Sequence, residues 1–104
     1  MSYFRSAALF FALVFGFGLL AHAQDDVLLK SKQHIDSGDH QAAYDLLAPL
    51  QSDGAGDPNF DFLLGSAALG IGKNTEAVFA LERVLAVRPD SVPARALIAR
   101  AYFN

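Results

Sequence analysis

Between Pro58 and Ser91 the chain reads PNFDFLLGSAALGIGKNTEAVFALERVLAVRPDS, two apolar patterns separated by a glycine and a short polar turn. Phe60, Leu63, Leu64, Ala67, Ala68 and Ile71 recur at the spacing of one α-helical face, and Ala77, Leu81, Val84 and Leu85 form a second stripe of the same period. Asp57 stands where an N-cap belongs and Pro58 occupies the first turn, where a missing N–H costs nothing. Gly72 suits the left-handed residue that ends the first helix, and Asn74 is expected to cap the second. The stretch therefore predicts an αα-hairpin with its inner faces already apolar.

A less regular version precedes it. Val27, Leu28, Ser31 and Ile35 give a short stripe ending at Gly38, and Ala42, Ala43, Leu46, Leu47 and Leu50 give another before the breaker-rich SDGAGDP. Pro49 removes a backbone donor and crowds the preceding turn, so this second helix is expected to end or kink between Leu46 and Pro49. These helical stripes make the expected fold all-α.

Residues 1–23 read differently, with Arg5 followed by an apolar run from Ala7 to Leu20 and then Ala21-His22-Ala23. That order is a secretory signal peptide with cleavage after Ala23. The competing reading is an uncleaved inner-membrane anchor, but the run is broken by Gly16 and Gly18 and is shorter than the roughly 20 residues a span requires. The two-part organisation is thus a signal peptide at 1–23 and a helical domain at 24–104. Without Arg5 the remainder carries seven basic residues against eleven acidic, a net charge of −4. That argues against nucleic acid or an anionic membrane surface as partner, because both demand a basic stripe. The chain has no cysteine, which removes disulfides, thiol catalysis and cysteine metal sites together.

The two hairpins keep a common register. One constant step along the chain takes Gly38 to Gly72, Ala43 to Ala77, Leu47 to Leu81 and Ser31 to Gly65; the same step again brings Gly65 to Ala99 and Ala68 to Tyr102. A helix–turn–helix period of about 34 residues, with small residues at the close-packing positions, resembles the tetratricopeptide repeat (TPR) family. The resemblance implies an α-solenoid of antiparallel hairpins, with repeats at 24–57 and 58–91 and a partial one at 92–104. Pro89 stands where the family usually places proline. The departures are His34 and Ala68 in place of tyrosine, Asp61 in place of tryptophan, and Pro49 inside a helix. The phrase FALERVLAVRPDSVPARALIARAYFN is also similar to the TPR region of larger bacterial envelope proteins such as the surface lipoprotein assembly modifiers.

Nothing in the spacing asks for catalysis. His34 and His40 lack the helical i, i+4 metal spacing, His34 is expected to pack between helices, and His40 to be a solvated turn residue. Asp36, Asp39, Asp45, Asp53 and Asp57 sit near helix ends, where capping accounts for them. The glycines at 65, 70 and 72 form no phosphate-binding loop, and Glu82 and Arg83 read as solvated charges. No enzyme activity, metal or cofactor is expected.

In the resembling family the first helix of each repeat lines a concave surface. Carried over, the lining is Leu28, Lys32 and Ile35, then Phe62, Ser66 and Leu69, then Ala96, Arg100 and Phe103. Phe62, Leu69 and Phe103 make an apolar strip, with Lys32 and Arg100 as cationic handles for a peptide or protein partner and Ser66 between them. The plainer reading is that Phe62 and Phe103 cover core or meet a neighbouring repeat. The helix expected from Val92 is apolar for a capping helix, which implies either a fragment of a longer TPR protein or self-association through that helix. The functional expectations are an exported scaffold of the bacterial periplasm, or an accessory segment of an outer-membrane export or assembly protein.

Overall fold

The computed structural model describes residues 24–104, and the signal-peptide reading of residues 1–23 lies outside them. The described residues are all-helical. α1 covers residues 24–36, α2 His40–Leu47, α3 Gln51–Gly54, α4 Pro58–Gly70, α5 Asn74–Val87 and α6 Val92–Phe103. A 3-10 turn, Ala48–Leu50, joins α2 to α3.

Local chemistry sets most of these bounds. Asp39 caps α2 through the Ala42 amide, Asp57 caps α4 through the Asn59 amide, and Ser91 caps α6 through the Ala94 amide. Pro58 and Pro93 sit in the first turns of α4 and α6, where proline is tolerated. Gly38 and Gly72 take φ of +87° and +82°, the left-handed conformation that ends a helix most cheaply without a Cβ. Asn74 does not cap α5. Lys73 holds that position without a side-chain bond, because the residue after the left-handed glycine becomes the cap, as Asp39 does after Gly38. Asn74 is instead the first helical residue, its Oδ1 buried without a protein partner.

Pro49 acts as expected. α2 stops at Leu47, tightens into the 3-10 turn containing the proline, and resumes as the single turn of α3. Helix starts nonetheless repeat: the step from His40 of α2 to Asn74 of α5 equals that from Pro58 of α4 to Val92 of α6.

α4 is the central helix. Phe60, Asp61, Leu64, Gly65, Ala67, Ala68 and Leu69 are all buried on it, covering more than one face, and it packs against α2, α5 and α6. One core cluster joins Leu47 of α2, Phe60 and Leu64 of α4 and Ala80 of α5, with Val27 and Leu28 of α1 against it. The other joins Ala68 and Leu69 of α4, Ala77, Leu81 and Val84 of α5, and Ala94 and Ala101 of α6. Full burial of a leucine such as Leu47 or Leu81 stabilises by about 2 kcal/mol. α4 and α5 come close together at Gly65, where an added Cβ would lie 2.7 Å from Leu81 Cγ. The small residue lets α5 settle onto α4.

One polar group sits inside. Asp61 is wholly buried, and Arg83 of α5 meets its Oδ1 with Nε at 3.1 Å and Nη2 at 3.0 Å. The Gly56 amide donates to its Oδ2 at 2.9 Å. Arg83 is therefore not the solvated charge expected from its place in the sequence; it neutralises a carboxylate on the neighbouring helix that burial would otherwise make very costly. Gly56 ties the loop before α4 to the same anion.

Candidate functional site

A surface groove of about 480 Å³ runs between α1 and α4 and is closed at one end by the α5–α6 turn. α1 contributes Leu28, Leu29 and Lys32, α4 contributes Asn59, Phe62 and Leu63, and Val84, Arg88 and Pro93 complete it. The lining follows from helix period: Leu28 and Leu29 lie one turn before Lys32 on α1, and Asn59 lies one turn before Phe62 and Leu63 on α4. The walls are mostly apolar and the two cations stand among them.

Lys32 is exposed and donates to Asp36 at 2.7 Å, one turn along α1. An exposed pair of this kind contributes at most about 0.5 kcal/mol, so a competing carboxylate exchanges with Asp36 at little cost. Arg88 reaches only Asn59 Oδ1, at a long 3.4 Å. Phe62 is half-buried, one side against the core and the other in the groove.

The residues expected to line a common strip are divided by the structure. Lys32 and Phe62 share this groove, with Leu28 beside them. Ser66 is half-buried and spends its hydroxyl on the Phe62 carbonyl at 2.8 Å. Leu69 is only 6% exposed and belongs to the core shared with α5 and α6, so its side chain offers nothing to a surface ligand. Ile35 is half-buried, while Ala96 and Arg100 are exposed and line neither this groove nor the next hollow. Phe103 is 90% exposed and lines a separate hollow of about 530 Å³ on α6. Arg88 and Pro93 lie outside the residues expected to line the surface, Arg88 just past α5 and Pro93 in the first turn of α6; both flank the VRPDSVP turn, which brings them to the groove.

A second polar group lies across α2 and α5. The Tyr44 hydroxyl donates to Glu76 Oε2 at 2.6 Å, and Lys73 Nζ lies 3.9 Å from Glu76 Oε1 and 5.4 Å from the Tyr44 ring centre. The Glu76 hydrogen bond raises the Tyr44 phenol above its ordinary value, with smaller help from burial and from the charges of Glu76 and Asp45. The group ties α2 to α5.

His34 is half-buried, as expected. His40 is not simply solvated: its ring lies over Gly70 of α4, and Nδ1 is 3.2 Å from the Gly38 carbonyl oxygen. No group of three or more metal-ligating side chains occurs among the described residues, and none of their helices is long and apolar enough to cross a membrane. Comparison with protein-family models, curated proteins and solved structures finds no match for the chain.

Proposed function

We propose that this chain is a TPR-type interaction module, exported to the periplasm of a Gram-negative bacterium, that holds an extended segment of a protein partner and performs no chemistry on it. The observation that carries the binding reading is the groove between α1 and α4, with Leu28, Leu29, Phe62 and Leu63 as apolar walls and Lys32 and Arg88 as weakly engaged cations. Such a surface suits a peptide carrying an apolar side chain next to a carboxylate. The repeat reading is supported by the constant offset of helix starts, by left-handed glycines at the same offset, and by the close approach at Gly65. Export rests on the sequence of residues 1–23.

The test is selection of peptides from a random display library on the chain, followed by binding to variants. Phe62→Ala and Lys32→Glu should each weaken the selected peptides by at least about tenfold, in keeping with loss of a central aromatic or charged anchor. Selected peptides that bind a Phe62→Ala, Lys32→Glu double variant unchanged would refute the groove reading.

A second reading, an accessory segment of a larger outer-membrane export or assembly protein, is favoured by the exposed apolar side of α6, where Tyr102 and Phe103 are 67% and 90% exposed. Co-purification with an outer-membrane β-barrel protein, lost when Phe103 is replaced by Glu, would support that role over free peptide capture.

A further inference from the structure

α1 opens on Gln24, the residue that follows the expected cleavage site Ala21-His22-Ala23. Gln24 lies on the wall of a small hollow of about 70 Å³, between the start of α1, the single turn of α3 and the first turn of α4. Val27, Leu28, Leu50 and Phe60 make its apolar side, and Asp53 and Asp57 its acidic side. Asp57 receives the Asn59 amide on Oδ1 as the cap of α4, and Asp53 is exposed on α3. A space this small brings the Gln24 amide and two carboxylates to one place.

Cleavage after Ala23 gives Gln24 a free α-amine, and a glutamine at that position carries its own electrophile one ring closure away. An α-amine titrates at about pH 8, so part of it is the neutral nucleophile at neutral pH. As an ammonium it would stand at the positive end of the α1 dipole, where cationic charge is disfavoured. Closing a lactam removes that charge. The carboxylates of Asp53 and Asp57 are placed to take the proton that the amine gives up, the part of a general base.

We propose that the exported chain carries pyroglutamate at position 24, formed from Gln24 in this hollow with Asp53 and Asp57 as proton acceptors. The α-amine nitrogen bonds to the Gln24 Cδ and the Cδ–Nε2 bond breaks. The amine proton passes through a carboxylate to the leaving nitrogen, ammonia departs, and nothing is oxidised or reduced. The neutral ring then rests against the apolar side of the hollow and offers its N–H to the acidic side. Lacking an α-amine, the finished chain resists aminopeptidases. This site exists only under the export reading, since cleavage after Ala23 is what frees the amine.

The test starts from the full chain, held in detergent, cleaved with purified signal peptidase and followed by intact mass. The expected product is residues 24–104 lighter by one ammonia and refractory to aminopeptidase. Closure in buffer should be about tenfold faster than in guanidinium added after cleavage, a modest gain for a positioned base because Asp53 and Asp57 are exposed. The double variant Asp53→Asn, Asp57→Asn keeps a capping side chain on α4. It should lose the advantage of the folded state while circular dichroism stays unchanged. A product that starts elsewhere, or a chain left whole, would overturn the export reading and this site with it. A product that starts at Gln24 but keeps its amide, closes no faster folded than unfolded, or ignores the double variant would overturn the cyclisation alone.

Discussion

The two hairpins share their glycine turns and the starts of their second helices, yet they solve one packing position in opposite ways. In the second, Asp61 and Arg83 form an ion pair at the outer end of the α4–α5 contact. The positions reached by the step from Gly72 back to Gly38 hold Val27 and Pro49. Val27 joins the apolar cluster around Leu47 and Phe60, and Pro49 turns the end of α2 into a 3-10 segment. Where the second hairpin has an unbroken second helix and a buried charge pair, the first has a broken helix and apolar packing. The same spacing accommodates both, with Ala43 and Leu47 of the first and Ala77 and Leu81 of the second all fully buried. The outer turn is free to vary.

That comparison is broken most severely at Asp61. Asp61→Ala should destabilise the domain by about 3 kcal/mol, the low end for orphaning one member of a buried pair because Arg83 keeps 32% side-chain exposure. Urea denaturation reads this directly, and a loss below about 1 kcal/mol would mean the pair behaves as a surface bridge. Gly65→Ala comes next. A Cβ there meets the buried Leu81 at 2.7 Å, so overpacking should exceed the gain of about 1 kcal/mol in helix propensity and leave a net loss of about 1–2 kcal/mol.

The first hairpin should respond in the opposite direction. Ser31 occupies the register of Gly65, is fully buried, and its hydroxyl has no protein partner. Ser31→Ala should therefore raise stability by about 1 kcal/mol, seen as a higher melting temperature. If it lowers stability instead, the hydroxyl is satisfied by a buried water. The smallest effect is expected between the hairpins, at Tyr44. Its phenol is raised in the folded protein by Glu76, so the contribution is fully present below the ordinary phenol value and is lost as pH rises through the folded one. Ultraviolet titration should show one tyrosine ionising late, and Glu76→Gln should bring it down.

Much of this was legible because it is local. Asp57 followed by Pro58, Gly38, Gly72 and the proline at 49 act within a turn of themselves, and their helix bounds and breaks appear where local rules put them. The Asp61–Arg83 pair was not legible, since each residue alone looks like an exposed charge and only the approach of α5 to α4 brings them together. The candidate groove was half legible. Phe62 and Leu69 lie two turns apart and share a helical face in projection, but α5 and α6 cover the end that carries Leu69 and leave the end that carries Phe62 open to α1. A period places residues on a face; only the neighbours decide how much of that face stays open.

The buried carboxylate of Asp61 also sets a charge condition on which helix can lie against α4. A chain of look-alike hairpins runs the hazard of joining the wrong helices, since the apolar stripes around Ala43 and Ala77 are nearly interchangeable. Seating α2 and α3 where α5 belongs would bring Pro49 opposite Asp61 and leave a bare anion in an apolar contact. Sliding α5 by one turn would strand it in the same way. α5 brings Arg83 to that carboxylate, so a pairing that left Asp61 without it would carry the cost of an unpaired buried charge.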